Sequence, residues 1–572
     1  MIQNAGDDAC TGFYVKSERM SVGTGTTQPA TDAKPRQSQW ALVAREFFKR
    51  RLAVIALFII LGLVTISVFA PFLANDRPIY YFGTNRFEFR EAARTVRGLI
   101  GQLANANKST PASKTADQLR SVQLQFDLMS QELPADTFQS LREMREKIES
   151  AASDAVQGPV RLRGLQGELR TLLDSLEPKL IARSHWPVAT SLRATDLFFM
   201  SATLLILTFP LWRIWAIPRG SDARPRTVAF LLFLIPVVSG TAWWLFVPIR
   251  FDRTDYKVGV LAADDAENKS GIVFQNVMWP PIAYALDEYD LAGKAAAPPW
   301  YPQLSKFLRV FQFWAKPEAP KAVSESDPEA PKVEPAETRK VASRWNTPHW
   351  LGTDESGRDV LCRMIWGGRV SLSVGIVAVA IYVSIGIVVG AIAGYFRGIC
   401  DLVLSRIIEV VICFPSFFLI LTIVAMVGPG LFNIMIVIGL TGWTGIARLV
   451  RGEFLRLVDQ EFVLAGRALG YSPLRLIFRH VLPNAMAPVL VSATFGVAGA
   501  ILTESALSFL GLGISKPTPS WGSLLADGRE ALDHAPWLIH FPGLAIFLTI
   551  TAYNLIGEAL RDAADPRLRG SR

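Results

Sequence analysis

The sequence predicts an all-α, polytopic membrane protein, and three observations carry that class. Half of the 572 residues are hydrophobic and the mean hydropathy is +0.28, too apolar for a soluble chain of this length. Uncharged apolar runs of about 20 residues recur, the length of helix that crosses a hydrocarbon core of about 30 Å. The net charge of +9 comes from Lys and Arg that flank those runs instead of forming one patch, which argues against a nucleic-acid partner.

Residues 1–39 are polar, rich in Gly, Ser and Thr, and lack the charged start, apolar stretch and cleavage site of a secretory signal. They read as a disordered cytoplasmic tail. The first transmembrane helix occupies 40–76: its uncharged part directly follows Arg45, Lys49, Arg50 and Arg51, which by the positive-inside rule places the N-terminus in the cytoplasm. An external helical insert follows over 77–195. Within it, Leu119, Val122, Phe126, Met129 and Leu133, then Leu162, Leu165, Leu169, Leu172 and Leu176, follow the alternating three-and-four spacing of a heptad seam. Pro134 and Gly158-Pro159 are natural corners, so a coiled-coil-like hairpin or small bundle fits, as does plain amphipathic packing. Two further apolar runs in 196–250 surround Arg219, Arg224 and Arg226, which predicts an inserted transmembrane hairpin with a cytoplasmic turn. The segment 251–344 returns outside and ends in a Pro-rich, charged linker at 317–337.

In 345–572 the spans are 371–396, a pair within 402–448 divided at Gly428-Pro429-Gly430, then 487–511 and 536–557. The total is eight, with both termini cytoplasmic. Arg406 and Glu409 are spaced for an interfacial pair. Cys10, Cys362, Cys400 and Cys413 form no CxxC and have no histidine at ligand spacing, so no disulfide framework or metal site is expected. No phosphate-cradling GxxxxGK[ST], Ser-His-Asp set or carboxylate pair stands out, so neither catalytic residues nor enzymatic activity are expected.

The stretch EFVLAGRALGYSPLRLIFRHVLPNA, 461–485, lies in an Arg-rich cytoplasmic loop. After Glu461 come small residues at Ala465, Gly466 and Ala468, with Gly470 closing the helix. Pro473 then opens a second short helix and Pro483 ends it. Such a pair fits either a groove on another protein or a membrane surface. The loop resembles the coupling loop of ABC importer permeases, with pattern Glu-Ala-Ala, three residues, Gly, nine residues, Ile-x-Leu-Pro. Leu464, Ala465 and Gly466 occupy the triplet, Gly470 the glycine and Leu482-Pro483 the end, while Leu464 and His480 depart from the pattern.

A second likeness, HWLGTDESGRDVLCRMIWGGRVSLSVG at 349–375, resembles the segment before the second core span of OppC/DppC-type permeases, carried by Gly352, Thr353, Asp354, Gly357, Arg358 and Asp359. Read physically, Thr353 or Asp354 can cap the following helix, and Arg358 and Asp359 can pair locally. A third is ILTESALSFLGLG, 501–513, followed by PSWGSLL. Glu504 there either lines a pathway or makes a buried hydrogen bond to a neighbouring helix.

The resemblance implies a type I ABC importer permease core of six helices in the bacterial inner membrane. It implies, as partners, a second homologous permease, two ATPases that bind the ATP and Mg, and an external substrate-binding protein. This chain would hold no cofactor. The likeness covers 40–76 weakly and 345–570 strongly, with the coupling loop at 459–485, and leaves 77–344 without a counterpart. Cargo stays open among dipeptides, oligopeptides, peptide antibiotics, nickel chelates and sugars. An ion-coupled secondary transporter is the alternative, for which Glu504 is the main support. A membrane receptor would need a cytoplasmic output domain.

Overall fold

The computed structural model describes residues 39–104, 112–131, 133–153, 157–216, 224–246, 256–257, 272–286, 288, 294–300, 348–514 and 516–564. The tail expected up to residue 38, the turn at Arg219, the linker at 317–337 and the C-terminal basic residues from Arg567 lie outside the described residues.

Helix α1 (Gln39–Phe48) leads into the first apolar helix, α2 (Arg51–Val68), and a short α3 (Ala70–Leu73). Three strands follow at wide intervals: β1 (Tyr80–Asn85), β2 (Arg183–His185) and β3 (Ile272–Met278) pair antiparallel in the order β2-β1-β3. The all-α class is corrected here. Alternate residues of β1 are buried, and Tyr81 stacks on His185 across the pair with ring centroids 4.6 Å apart. The strands were hidden in sequence because two of them gain a pleated surface only when β1 arrives from far along the chain.

Between β1 and β2 stand α4 (Arg86–Ala104), α5 (Ala112–Gln131), α6 (Phe138–Ser153) and α7 (Gly158–Leu176), each packed on its neighbours around one core. Both leucine-rich seams face that core, with Val122, Leu133 and Leu169 fully buried. Their partners are Val96 and Ile100 of α4 and Ile148 of α6. A four-helix arrangement results because a single hairpin would leave the second face of each seam in water. Past β2, α8 (Pro187–Ser191) precedes α9 (Ala194–Ala216) and α10 (Arg224–Phe246), which pack on each other and, through α9, on α2. Ser201 and Ser239 join the pair through their hydroxyls at 2.9 Å. Both helices form where the apolar runs predicted them, each 23 residues long.

The remainder is α11 (Val360–Phe396), α12 (Gly398–Ile412), α13 (Ser416–Val427), α14 (Leu431–Leu457), α15 (Glu461–Ala468), α16 (Pro473–Leu476), α17 (Leu482–Phe509), α18 (Trp521–Glu530) and α19 (Trp537–Ala564). Among the described residues, five helical paths are long and apolar enough to cross a membrane, or six when α12 and α13, bent by 79°, count as one broken span. The chain turns at Gly428-Pro429-Gly430 as predicted, between α13 and α14, and a further break, between α12 and α13, falls at Pro415.

Helix α11 starts at Val360, eleven residues before the predicted 371, so the apolar span is continuous with the segment that precedes it. Gly386, Gly390 and Gly394 make a small-residue stripe along it, and α14 packs directly on that stripe. A Cβ at Gly390 would lie 2.5 Å from the Ala447 carbonyl oxygen, and one at Gly394 2.5 Å from Phe454. Backbones approach this closely because lipid supplies no hydrophobic drive, leaving contact dispersion to hold helices together. Gly390→Leu is therefore expected to destabilise the full chain in detergent by about 1–3 kcal/mol or more, read as a lower thermal midpoint. Gly452→Leu, where nothing lies within 4 Å, is the control that should leave the midpoint in place.

Candidate functional site

The residues of the loop at 459–485 gather at one end of the membrane helices, with α1 and the end of α19. Arg50 pairs with Asp562 there at 2.6 Å, and a cavity of about 890 Å³ is lined by Val43, Gln460, Phe462, Pro483 and Arg561. Helix α15 carries the first half of the loop. Gly466 is buried, and its missing side chain is what lets Leu476 approach, since a Cβ would sit 2.8 Å from Leu476 Cδ2. Ala465 and Ala468 point the other way and are exposed. The small residues thus do not form one face: Gly466 folds the loop on itself and the alanines stay outside with exposed Glu461.

Gly470 holds φ at +76°, where a side chain is strained, and its N–H donates to the Arg467 carbonyl at 2.9 Å to close α15. Ser472 then caps α16, its hydroxyl accepting from the Arg475 N–H at 3.4 Å, and Pro473 opens that helix as expected. Pro483 does not end it. A π turn, Ile477–Val481, carries the path into α17, where Leu482 and Pro483 form the first turn. The wider turn moves aside the i−4 carbonyl that a proline ring would strike. Around this folded hinge Leu464, Leu469 and Leu474 are exposed, Leu469 by 72%, an apolar surface on a loop that is otherwise Arg-rich.

Arg397, at the corner between α11 and α12, reaches the approach to this loop. Its Nη2 donates to the Leu455 carbonyl at 3.0 Å and to Asp459 Oδ2 at 2.7 Å. The hydrogen bond from Arg397 holds the Asp459 carboxyl below its usual pKa, so the pair is complete at neutral pH and is lost as pH falls through that lowered value. Asp459 is solvent-exposed, so the contact positions the loop more than it stabilises the fold. Arg406 and Glu409 pair on the surface of α12 at 2.6 Å, as spaced.

The remaining two motifs meet at the opposite end. Gly352 (φ +77°) passes so close to the 294–300 segment that a Cβ would lie 2.6 Å from the Ala296 carbonyl oxygen. Thr353 accepts from the Ala296 N–H at 2.8 Å through its hydroxyl. Neither Thr353 nor Asp354 caps α11. Asp359 does, accepting from the Cys362 N–H at 2.6 Å, while its second oxygen faces His349 Nδ1 at 2.8 Å. The reason lies in the turn: Asp354 is occupied by the N–H groups of Ser356 and Arg358, both at 2.9 Å, and the Gly357 N–H bonds the Asp354 carbonyl. Arg358 correspondingly pairs with Asp354 at 2.7 Å instead of with Asp359.

Arg363, one turn into α11 and 2% exposed, completes the arrangement. It donates to Asp354 at 2.5 Å and to Asp527 of α18 at 3.2 Å, and Asp527 also pairs with Lys516 at 3.0 Å. Arg363 and Asp527 were not singled out from sequence, though a cation at the head of a long apolar helix was a visible signal. Glu504 is fully buried, accepting from Ser371 at 3.3 Å and Ser508 at 2.8 Å. The Ser371 oxygen in turn accepts from the Trp521 N–H at 3.1 Å, which joins α11, α17 and α18. A separate cavity of about 410 Å³ lies between α11, α13, α14 and α17, lined by Tyr382, Ser416, Thr441, Ser492, Gly496 and Thr503. Glu504 is not part of its lining. Among the described residues no cluster of His, Cys, Asp or Glu is placed to hold a metal ion.

Removing one carboxylate from the Arg358–Arg363 cluster leaves a buried cation short of a partner. Asp354→Ala is expected to cost about 3–5 kcal/mol, seen as a lowered thermal midpoint in detergent. Glu409→Ala, at the exposed pair, should stay within about 1 kcal/mol.

Against known proteins, the family described as "Binding-protein-dependent transport system inner membrane component" matches residues 386–570, and "N-terminal TM domain of oligopeptide transport permease C" matches 38–89. The dipeptide transport system permease protein DppC of Alkalihalophilus pseudofirmus is 44% identical over 221 residues, covering 39% of this chain and 73% of that one. The oligopeptide transport system permease proteins OppC of Bacillus subtilis and Haemophilus influenzae are 42% and 45% identical over the same length, 39% of this chain and 72% and 71% of theirs. Residues 90–385 fall outside both family matches, and that interval holds the helical bundle and the α9–α10 pair.

Proposed function

The chain belongs to the OppC/DppC permease family of binding-protein-dependent transport systems, and from that premise we propose that it is a peptide-carrying subunit of an ATP-driven importer. In this reading it sits in a bacterial inner membrane with both termini cytoplasmic. It pairs with a second permease, two ATPases and an external binding protein. ATP and Mg stay on the ATPases.

The observation that carries the mechanism is the folded loop at 459–485: a short helix closed at Gly470, braced on Leu476, with Leu464, Leu469 and Leu474 left exposed. Apolar side chains held out on a stiff, doubly capped turn suit a groove on an ATPase, and Arg397 ties that turn to the α11–α12 corner. Closure of the ATPases would then move α14 and α17, which flank the loop and line the cavity at Thr441 and Ser492. We assign the translocation path to that cavity. Glu504, with Gly352, Thr353, Asp354, Gly357, Arg358 and Asp359, is assigned to holding the outer ends of the helices together.

The bundle at 86–176 and the sheet beneath it are placed outside the membrane, and α9–α10 as an inserted hairpin beside α2. Ion-coupled transport has no observation in its favour: the one buried carboxylate that motivated it is bonded to serines.

A paired Leu469→Asp, Leu474→Asp variant tests the coupling role without touching buried packing. Pull-down of the intact chain from its membrane should recover ATPases and a second permease, and the variant should lose roughly tenfold or more of the ATPase while keeping the permease. Equal recovery in both would remove the loop from the coupling role.

A further inference from the structure

Among the described residues that line the cavity of about 410 Å³ between α11, α13, α14 and α17, none is charged. What this cavity offers a ligand is apolar surface and hydroxyl groups. Two of those hydroxyls are spent within their own helices: Thr441 donates to the Val437 carbonyl at 2.9 Å and Thr503 to the Gly499 carbonyl at 2.8 Å. Ser416 is exposed and Ser492 half-buried, so both stay within reach of solvent.

Tyr382 of α11 differs from all four. It is 8% exposed, and its hydroxyl has no hydrogen-bond partner among the described residues. A hydroxyl withdrawn this far is costly unless another group pairs with it. The ring is held in place by glycines of two other helices. A Cβ at Gly442 of α14 would lie 3.0 Å from Tyr382 Cδ1, and one at Gly496 of α17 would collide with the hydroxyl oxygen itself. Both glycines line the cavity, so they admit the ring and fix where its oxygen ends.

We propose that the Tyr382 hydroxyl is a cargo contact in this cavity, donating its hydrogen bond to a main-chain carbonyl of the peptide in transit. An uncharged lining gives no counter-ion to a charged side chain, whereas a peptide link is neutral and common to every peptide. The group recognised is therefore the link and not the side chain. The proposal rests on the reading of the chain as a peptide permease, and it adds the residue that touches the cargo.

The test is ATP-driven uptake into liposomes that hold the importer purified with this full-length chain, its binding protein supplied in excess. The cargoes are trialanine and its two analogues with one peptide link replaced by an ester. The ester keeps length, side chains and terminal charges but is a weaker acceptor. For each analogue the ratio of trialanine uptake to analogue uptake is measured with the native chain and with Tyr382→Phe, which keeps the ring and removes only the hydroxyl. The ratio should fall roughly three- to tenfold in the variant for at least one analogue. Each ratio comes from one preparation, so protein lost to misfolding cancels, and discrimination by the binding protein is common to both chains. Ratios that fall for neither analogue would overturn the contact. So would a variant that carries no cargo at all, because one hydrogen bond is worth no more than roughly tenfold. If the native chain takes up no trialanine, the peptide-permease reading falls and the contact with it; uptake with unchanged ratios removes the contact alone.

Discussion

Arg363 is the constraint around which the outer end of this protein is organised. A guanidinium 2% exposed, at the head of a 37-residue apolar helix, cannot be tolerated without carboxylates on it, and Asp354 and Asp527 come from opposite sides in the chain to supply them. Once they do, the turn at 352–359 and helix α18 are both fixed against α11. The Trp521 N–H, Ser371 and Glu504 extend the same network down to α17. A buried ion cluster of this kind gains little net free energy over an apolar replacement. What it does is make one arrangement of three helices far better than any slipped one.

Below that network the packing follows a different rule. The Gly386, Gly390 and Gly394 stripe lets α14 lie directly on α11, and a largely apolar cavity carrying a few hydroxyl groups remains between α11, α13, α14 and α17. At the far end the loop at 459–485 repeats the logic in miniature, Gly466 admitting Leu476 so that a loop becomes a compact body with Leu464, Leu469 and Leu474 outside. Packed interfaces of this kind switch between discrete arrangements instead of bending.

The inserted segments are joined to the core through both polar and apolar contacts. Arg369 pairs with Asp196, Thr353 receives the Ala296 N–H, and Ile282 packs in one cluster with Cys362, Leu361 and Ile365. Each of these ends on α11 or the turn that caps it. The insert therefore bears on the same helix whose head is set by Arg363.

Much of this was legible along the chain. Apolar run length located the helices, the seams at 119–133 and 162–176 pointed to a helical body, and Gly470 and Pro473 marked the stop of α15 and the start of α16, because helix period, glycine φ and proline geometry act within a few residues. The partners were not legible. Asp527 is 164 residues from Arg363, and nothing in local spacing selects it over other carboxylates. Asp359 took the cap from Thr353 and Asp354 because a turn had already used Asp354, and Pro483 continued a helix because a π turn made room. The three strands, separated by about a hundred residues each, acquire a pleated surface only on meeting. Sequence thus determined which segments are helical and where the loop lies; only tertiary structure decided which charges meet and which glycines are covered, since both depend on neighbours that the chain brings in from far away.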